Sequence, residues 1–335
     1  MTMTAEPATS TAAAAPLLTL EEQLGAWPAG DADRQAVKAL LLALAEAGKQ
    51  VRGRLAEGAL HGDPARIVGI NSDGDKQKAL DVEAHGIFVE ASHKGGAAVI
   101  GSEEAEEPIA GDPNGRVAVA FDPIDGSSHI GIAGACGTLF SVLSLAADGE
   151  HFQQPGSAQL AAGYLVYGPE TVFCYTLGAG VFMLTLDPVD GVFKGRQTPV
   201  VLPAKTAEIG VDLSFRRHWH ERPTAYVDDC LLGKDGSRGA DVRLRWMMAA
   251  VVDLHRILKQ GGIFVLPADK RPENRVGRLR HVYEVNPMAL LIEQAGGLAT
   301  DGVGGRLLDR VPEGLHARAP IVAGSREEVE RYLSF

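Results

Sequence analysis

Apolar residues recur at helical spacing in five stretches of the chain. In the stretch 33–55, leucine, valine and alanine return every three or four residues, which predicts a helix with one apolar face. The complete set of predicted helices is 33–55, 76–94, 224–232, 247–260 and 286–295. The last of these meets Gly296 and Gly297, and glycine commonly ends a helix.

Short apolar runs bounded by Gly, Pro or Asp predict the strands. They are 97–101, 116–121, 138–145, 161–167, 171–176, 181–186, 263–266 and 298–300. The strand 116–121 is expected to stop at Pro123, and Gly126 permits a tight turn just beyond it. This mixture of elements predicts an α/β or α+β fold in which helices cover mostly mixed sheets.

The domain organisation is expected to divide near residue 200. Residues 1–17 are rich in Ala, Thr and Ser and contain no Lys or Arg, so they predict a disordered tail and not a signal or transit peptide. The remaining chain is then an N-terminal domain, 18–200, and a C-terminal domain, 201–335.

Charge and composition exclude several classes of partner. The 335-residue chain has a formal net charge of −11, which disfavours binding to nucleic acid and to anionic membranes. Its longest apolar stretches, 39–45 and 246–252, are far shorter than the ~20 residues that a membrane span needs. The three cysteines are far apart and are expected to be reduced thiols in a cytoplasmic protein: Cys136, Cys174 and Cys230.

Acidic residues cluster at the predicted ends of strands and helices. They are Asp75, Asp81, Glu103, Glu104, Asp122, Asp125 and Glu284. Magnesium binds carboxylate oxygens together with substrate phosphate oxygens, and such ions polarise a phosphoryl group. Taken singly, each carboxylate also fits an ordinary solvated turn or helix end. Their joint occurrence indicates a metal site.

The segment 121–128, FDPIDGSS, is the most specific of these features. Asp122 and Asp125 are three residues apart across a turn, so both can face one metal cluster. The turn frees the carbonyl of Ile124 from strand pairing, which makes it a further candidate ligand. The following residues offer backbone N–H groups and hydroxyls to a phosphate: Gly126, Ser127 and Ser128. The segment predicts metal-assisted phosphate chemistry.

From about residue 65 to 335 the chain resembles the class 1 fructose-1,6-bisphosphatases, in the magnesium-dependent, lithium-sensitive phosphatase superfamily. The matching segments follow the family's order: 74–82, 102–104, 121–128, 161–164, 255–258, 261–264, 278–280, 283–289 and 315–320. The segment 277–284, GRLRHVYE, looks most like members from autotrophic bacteria that run a Calvin cycle. The resemblance implies a layered helix–sheet–helix–sheet–helix sugar phosphatase fold with mixed sheets, usually assembled as a homotetramer. It also implies that the N-terminal domain, 18–200, contains the metal and phosphate site and that the C-terminal domain, 201–335, binds the sugar.

The resemblance also implies roles for individual residues. The implied ligands of about two or three Mg²⁺ ions, with Mn²⁺ as a substitute, are Asp75, Glu103, Asp122, Asp125, Glu284 and the carbonyl of Ile124. Asp81 and Glu104 match the pair that orients and deprotonates the attacking water, and a carboxylate held among like charges is a reasonable base near neutral pH. The implied substrate contacts are Asp125, Gly126, Ser127, Ser128, Asp212, Arg278 and Arg245, the last crossing from a neighbouring subunit.

The chain departs from the family where the distal phosphate of the substrate binds. The departing positions are Asp212, Phe215, Trp246 and Leu266. Asp212 adds a negative charge near an anion, and each lost charge-assisted hydrogen bond costs roughly 1.5–3 kcal/mol. Three arginines are candidates to compensate: Arg216, Arg217 and Arg245.

The AMP-binding region also departs from the family. The glycine-rich turn that binds AMP in inhibited relatives is absent before the helix 33–55. Val117 replaces a tyrosine that contacts the nucleotide. We therefore expect weak or absent inhibition by AMP.

Three functions fit these residues. The first is hydrolysis of D-fructose 1,6-bisphosphate to D-fructose 6-phosphate and phosphate by metal-activated water, in gluconeogenesis or in carbon fixation. The altered distal pocket favours, as the alternative, the same mechanism on sedoheptulose 1,7-bisphosphate or another sugar or polyol phosphate. The third is a catalytically idle sugar-phosphate sensor. The seven retained carboxylates argue against a sensor, because a binding module does not need a pair that activates water.

Overall fold

The structure, a computed structural model, describes residues 15–27, 30, 32–70 and 76–335. Most of the predicted tail 1–17 and the predicted metal ligand Asp75 lie outside these residues. The end of the predicted tail is corrected, because Leu17 begins a strand and pairs with Arg196.

The described residues contain seven α-helices. They are α1 (Leu20–Ala26), α2 (Ala32–Glu57), α3 (Ala79–Lys94), α4 (Glu221–Leu232), α5 (Ala250–Gln260), α6 (Asn286–Gln294) and α7 (Arg326–Leu333). Within the part of the chain that is described, none of these helices combines the length and the apolar character that crossing a bilayer requires.

The strands of the described residues number eighteen. They are β1 (Leu17–Thr19), β2 (Ile67–Ile70), β3 (Lys76–Lys78), β4 (Val99–Ser102), β5 (Ile109–Ala110), β6 (Val117–Asp125), β7 (Cys136–Ser144), β8 (Gln159–Tyr167), β9 (Thr171–Thr176), β10 (Val181–Leu186), β11 (Phe193–Arg196), β12 (Glu208–Val211), β13 (Arg243–Leu244), β14 (Ile263–Leu266), β15 (Leu279–Arg280), β16 (Leu298–Thr300), β17 (Arg318–Ala319) and β18 (Ile321–Gly324).

Most strands belong to two mixed sheets. The larger sheet has nine strands in the order β1-β11-β10-β9-β8-β7-β6-β4-β5, and its β4–β6 pair is parallel. The second sheet has five strands in the order β13-β12-β14-β18-β16, with β12 parallel to both of its neighbours. The consecutive strands β2 and β3 form a separate two-stranded hairpin, and β15 and β17 form a separate two-stranded sheet. The predicted mixed sheets are confirmed.

Helices and sheets alternate in five layers. The helices α1, α2 and α3 bury Leu44 and Phe88 against Phe121 on one face of the large sheet. The helices α5 and α6 fill the space between the two sheets, and α4 and α7 cover the outer face of the second sheet. This arrangement is the helix–sheet–helix–sheet–helix order that the resemblance implied.

The strand β6 is buried at all nine positions from Val117 to Asp125. It is an inner strand with a parallel partner, β4, on one side and an antiparallel partner, β7, on the other. Layers cover both faces of such a strand, so it carries a nearly continuous apolar run instead of an alternating one. Two carboxylates, Asp122 and Asp125, end this run.

The predicted elements are largely confirmed, with two corrections near the carboxylates. The predicted helix 76–94 begins only at Ala79, because Lys76–Lys78 pairs with Ile67–Ile70 as a hairpin. The predicted stop at Pro123 is wrong. Strand β6 continues to Asp125 because a register shift between Asp122 and Asp125 accommodates a residue that has no N–H to donate.

Candidate active site

The candidate site lies at one edge of the large sheet, where β4 and β6 end side by side. Because the two strands are parallel, their carboxyl ends meet at the same edge. Ser102 ends β4 and leads into Glu103, whose N–H donates to the carbonyl of Phe121 at 3.1 Å. The acidic turns after both strands are therefore neighbours, as ligand-binding turns often are in such sheets.

Three buried carboxylates form the centre of the site. One oxygen each of Asp122, Asp125 and Glu284 lies within 4.8 Å of the other two. Their exposed fractions are 3%, 8% and 6%. Burial and mutual repulsion raise the pKa of Asp122 and of Glu284 well above the usual range. A divalent cation would remove this repulsion, so the residues present fit a metal site.

The bulge in β6 orients Asp122. Its Oδ1 accepts the N–H of Ile124 at 2.9 Å, which closes a tight turn around Pro123. The carbonyl of Pro123 accepts the hydroxyl of Thr138 at 2.8 Å, outside the regular ladder. The same register shift takes residue 124 out of strand pairing, as the prediction of a ligating Ile124 carbonyl requires.

Asp125 is held by the N-terminus of α5. Its Oδ2 accepts the N–H of Val251 at 2.5 Å. Burial raises the pKa of Asp125 to about 6, and the N–H donors at the start of α5 oppose this shift. Gly126 follows with φ +83°, and a Cβ there would lie 2.5 Å from the Cβ of Ala249.

Glu284 lies in a π-helical turn, His281–Val285, that leads into α6. Its Oε2 accepts the N–H of Arg280 at 2.5 Å. Such turns are rare and occur frequently at functional sites. Here the turn directs a buried carboxylate toward the end of β6.

Glu103 joins the same group of acids. It shares a hydrogen bond with Asp122, and its Oε1 lies 3.9 Å from the Nε of Arg280. Burial raises the pKa of Glu103 to about 7, and Arg280 acts in the opposite direction. Arg280 is 3% exposed and is thus a buried cation beside the carboxylates.

Asp81 and Glu104 form a second acidic pair at the N-terminus of α3. Oδ2 of Asp81 accepts the N–H of Lys78 at 2.9 Å, while its Oδ1 is buried and accepts no hydrogen bond from the described residues. Burial raises the pKa of Asp81 to about 6, and the charge of Glu104 adds to this shift. Asp81 therefore presents one oxygen without a hydrogen bond from the described residues, on a carboxylate whose pKa is raised by burial.

Glu104 is oriented by two neighbours. Its Oε2 accepts the side-chain amide of Gln77 at 2.5 Å. Its N–H donates to the hydroxyl of Ser102 at 3.3 Å, and that hydroxyl lies 2.8 Å from Nδ1 of His85. No pattern in the sequence assigns a role to these three partners: Gln77, Ser102 and His85.

The turn after Asp125 continues as a short 3₁₀-helix, Ser127–His129. The first N–H groups of a helix have no acceptor inside it, so Ser127 and Ser128 present theirs outward. The carbonyl of Ser127 accepts the ammonium of Lys78 at 2.7 Å, which ties this turn to the start of α3. The turn, Asp81 and Lys78 are therefore one connected unit.

At the predicted distal end of the site, two arginines contact one aromatic ring. The guanidinium carbons of Arg271 and Arg278 lie 4.2 and 4.4 Å from the centroid of the Phe215 ring. Arg271 pairs with Asp269 at 2.5 Å. Within the described part of the chain, the half-buried Arg278 forms neither a hydrogen bond nor an ion pair.

Asp212 lies beside these arginines. Its Oδ1 accepts the N–H and the hydroxyl of Ser214 at 3.0 and 2.6 Å, so it caps the 3₁₀-helix Leu213–His218. Its charge also acts favourably on Arg278 and Arg271. The added negative charge at residue 212 is thus offset by two cations, Arg278, which was predicted as a substrate contact, and Arg271, which was not predicted.

The other arginines considered for this end have different surroundings. Arg216 pairs with Asp228 of α4 at 2.5 Å. Arg245 is 44% exposed, and its Nε lies 3.7 Å from Glu208. Leu266 is buried at the end of β14.

The structure thus places the described carboxylates of the predicted set around one sheet edge. Asp122, Asp125 and Glu284 share one cluster, Glu103 contacts it, and Asp81 and Glu104 interact with each other. Asp75 lies outside the described residues. Gln77, Lys78 and Arg271 were missed because their contacts join residues that are remote in the sequence.

Comparisons with known proteins agree with this geometry. Two family models match: "Fructose-1-6-bisphosphatase, N-terminal domain" over residues 20–197 and "Fructose-1-6-bisphosphatase, C-terminal domain" over residues 202–335. The chain is 44% identical over 304 residues to the class 1 fructose-1,6-bisphosphatase of Brucella anthropi, covering 91% of this chain and 89% of that protein. It is also 44% identical over 312 residues to the class 1 enzyme of Brucella suis, covering 93% and 91%.

Solved structures give the same result. The fructose-1,6-bisphosphatase of Leishmania major in its holo form matches with a TM-score of 0.87 and 30% identity, covering 95% of this chain and 98% of that one. Its apo form matches with a TM-score of 0.82 and 28% identity, covering 95% and 99%. The folds and the sequences therefore agree over nearly the whole length. The chain belongs to the class 1 fructose-1,6-bisphosphatase family.

Proposed function

We propose that this protein hydrolyses D-fructose 1,6-bisphosphate at carbon 1, giving D-fructose 6-phosphate and phosphate. The buried cluster of Asp122, Asp125 and Glu284 carries the proposal, because three carboxylates within 4.8 Å of one another are costly to bury without a cation. Membership of the family supports the substrate.

The metal is proposed to be magnesium, about two or three ions per site, with Mn²⁺ as a substitute. The proposed ligands are Asp75, Glu103, Asp122, Asp125, Glu284 and the carbonyl of Ile124. Bound there, the ions would lower the pKa of a water and neutralise charge on the leaving oxygen. The raised pKa values of Asp122 and Glu284 support this assignment, since burial and neighbouring carboxylates disfavour their charged forms and a cation would stabilise them.

Side chains and the phosphate turn are proposed to activate the attacking water and to bind the phosphate. Asp81 and Glu104 orient the attacking water and accept its proton while the new oxygen–phosphorus bond forms and the bond to the carbon-1 oxygen breaks. The free Oδ1 of Asp81 supports this role. The phosphate is proposed to lie in the turn of Gly126, Ser127 and Ser128, with Asp125 beside it.

The far end of the substrate is proposed to contact Asp212 and Arg278. Arg278 is the better supported, because it is a half-buried cation without an ion pair among the described residues. Arg245 is proposed to cross from a neighbouring subunit of a homotetramer. Its 44% exposure and its 3.7 Å distance to Glu208 leave it accessible for such a contact.

A second candidate substrate is sedoheptulose 1,7-bisphosphate or another sugar or polyol phosphate. Phe215 and Leu266 favour it, since neither side chain can donate a hydrogen bond to the distal phosphate. Specificity constants for the two bisphosphates decide between them. A preference for the seven-carbon sugar would reject the first candidate.

Regulation, location and pathway are proposed from the same residues. Weak or absent inhibition by AMP is proposed because the sequence lacks the glycine-rich turn of inhibited relatives before α2 and has Val117 in place of a tyrosine. The free, buried thiols support a cytoplasmic location, and gluconeogenesis or the Calvin cycle is the proposed pathway.

Release of phosphate from fructose 1,6-bisphosphate tests the function. We expect activity that depends on added Mg²⁺ and is lost with a chelator. Asp122→Asn should lower kcat/KM by at least about 100-fold, because one lost ligand weakens several kcal/mol of charge stabilisation. The exposed Asp148→Asn is the matched control and should keep full activity. Equal rates of phosphate release for Asp122→Asn and the wild type would refute the proposed phosphatase activity.

A further inference from the structure

The hairpin of β2 and β3 stands apart from both main sheets and reaches the proposed base. It is a separate two-stranded unit directly before α3. The first N–H groups of α3 are capped by the loop that leads into β2: Ala79 donates to the carbonyl of Arg66 at 2.9 Å, and Leu80 to that of Pro64 at 3.2 Å. The hairpin is therefore fixed to the helix that carries Asp81.

Gln77 is the residue of this hairpin that touches the acidic pair. Its Nε2 donates to Oε2 of Glu104 at 2.5 Å. Directly across the hairpin from Gln77 is Gly69. A Cβ on Gly69 would lie 2.7 Å from Oε1 of Gln77, so the missing side chain makes room for the amide.

We propose that Gln77 is a positioning residue for the reaction: lodged against Gly69, its amide fixes the orientation of the Glu104 carboxylate. The inference rests on the proposed function, in which Glu104 shares the proton of the attacking water with Asp81. A carboxylate on a flexible side chain accepts a proton efficiently only when its oxygen is held in place. Glu104 is held from the backbone side by Ser102 and from the carboxylate side by Gln77.

Two substitutions, one on each strand of the hairpin, test whether Gln77 orients Glu104. Gln77→Met keeps the length of the side chain and removes the donor. Gly69→Ala leaves Gln77 intact and displaces its amide, and the backbone of Gly69 is not in the left-handed region. Both should lower kcat by about 10- to 100-fold with little change in KM, the usual effect of removing a partner of a catalytic group. The matched control is Val68→Ala, an exposed neighbour on the same strand, which should leave kcat unchanged.

A double-mutant cycle separates positioning from a merely structural role. If Gln77 acts through Glu104, then Gln77→Met should cost nothing further in a Glu104→Gln background, because the group it orients is already lost. If the loss of kcat in the double variant equalled the product of the two single losses, the inference would be overturned. A Gln77→Met variant with the same kcat as an active wild-type enzyme would also overturn it. A wild type that released no phosphate would instead refute the proposed function. Should Gly69→Ala fail to fold, the cycle alone decides.

Discussion

At Gly126 a single missing side chain allows two elements to meet. The residue has φ +83°, and its α-carbon faces Ala249 at the start of α5. Close approach brings the first N–H groups of α5 onto Asp125. The position therefore requires glycine for both its conformation and its size.

We predict that Gly126→Ala lowers kcat/KM by at least about 100-fold, because it separates α5 from the proposed ligand Asp125 and strains the phosphate turn. Steady-state phosphate release measures the effect. Gly53→Ala is the matched control, because Gly53 lies in α2 with no atom within 4 Å of an added Cβ. There the exchange should be neutral or stabilise by up to about 1 kcal/mol. Equal activity in both variants would contradict the prediction.

The titration of Asp81 predicts an acid limit of activity. Asp81 can accept a proton only while ionised, and burial raises its pKa to about 6. The rate kcat/KM should therefore fall as pH falls through about 6. In Asp81→Asn the residual kcat/KM should no longer fall as pH falls through about 6. A pH–rate profile measured at saturating Mg²⁺ checks both expectations, and an unchanged fall in the variant would assign it to another group.

The carboxylates of the proposed site could be predicted from the sequence, whereas the residues that contact them could not. Asp122 and Asp125 follow an apolar run directly, so their place at a strand end is a local feature. The contact of Gln77 with Glu104 spans 27 positions, and that of Lys78 with Ser127 spans 49. No pattern of polar and apolar residues specifies such contacts, because they depend on the packing of the hairpin against the sheet edge.

Elements were predicted best where a long run is buried. The helix 33–55 corresponds to α2, and the strands at 171–176 and 181–186 match β9 and β10. Short elements such as β13 and β15 were missed, since two residues show no period. The error at Pro123 has a physical cause: a local bulge absorbed the proline, and propensity alone does not anticipate this. The domain division near residue 200 stays a prediction.

The start of α5 is held by a buried acid. Asp253 is fully buried, accepts the N–H of Met247 at 3.0 Å and lies 3.4 Å from Arg256. It joins the segment before α5 to the helix itself. Through this segment it supports the end of α5 that binds Asp125.

We predict that Asp253→Asn destabilises the protein by about 1–3 kcal/mol, because a buried charge-assisted network loses its anion. Asp228→Asn removes an arginine partner at the surface, where the pair is 44% exposed on each side, and should cost less than about 1 kcal/mol. Denaturant unfolding of the two variants measures the difference. Equal losses would show that burial of Asp253 does not matter.

At the scale of the whole molecule, the acidic cluster couples folding to pH and to metal. Burial holds the pKa of Asp122, Glu103, Asp125 and Glu284 above ordinary values. The folded chain then binds more protons than the unfolded chain between about pH 4 and 7. Stability from these groups is present at the acidic end of that window and is lost as pH rises through the folded pKa values.

We predict that the metal-free protein melts at lower temperature as pH rises from about 5.5 to 8, and that added Mg²⁺ restores the loss at the alkaline end. Thermal unfolding with chelator and with Mg²⁺ measures both effects. Asp122→Asn should flatten the pH dependence of the metal-free protein, because one of the repelling charges is gone. A melting temperature that rises with pH in chelator would contradict the assignment.

The order of strands in the second sheet has a consequence for synthesis. Strand β18 is the last of the five in sequence, yet it lies between β14 and β16 and pairs with both. Until residues 321–324 have left the ribosome, those two strands have no common partner, and each exposes an open edge. The nine strands of the large sheet, which end at Arg196, can assemble earlier. A nascent chain can therefore pair β13, β12 and β14 earlier, but it should complete its second sheet only at release.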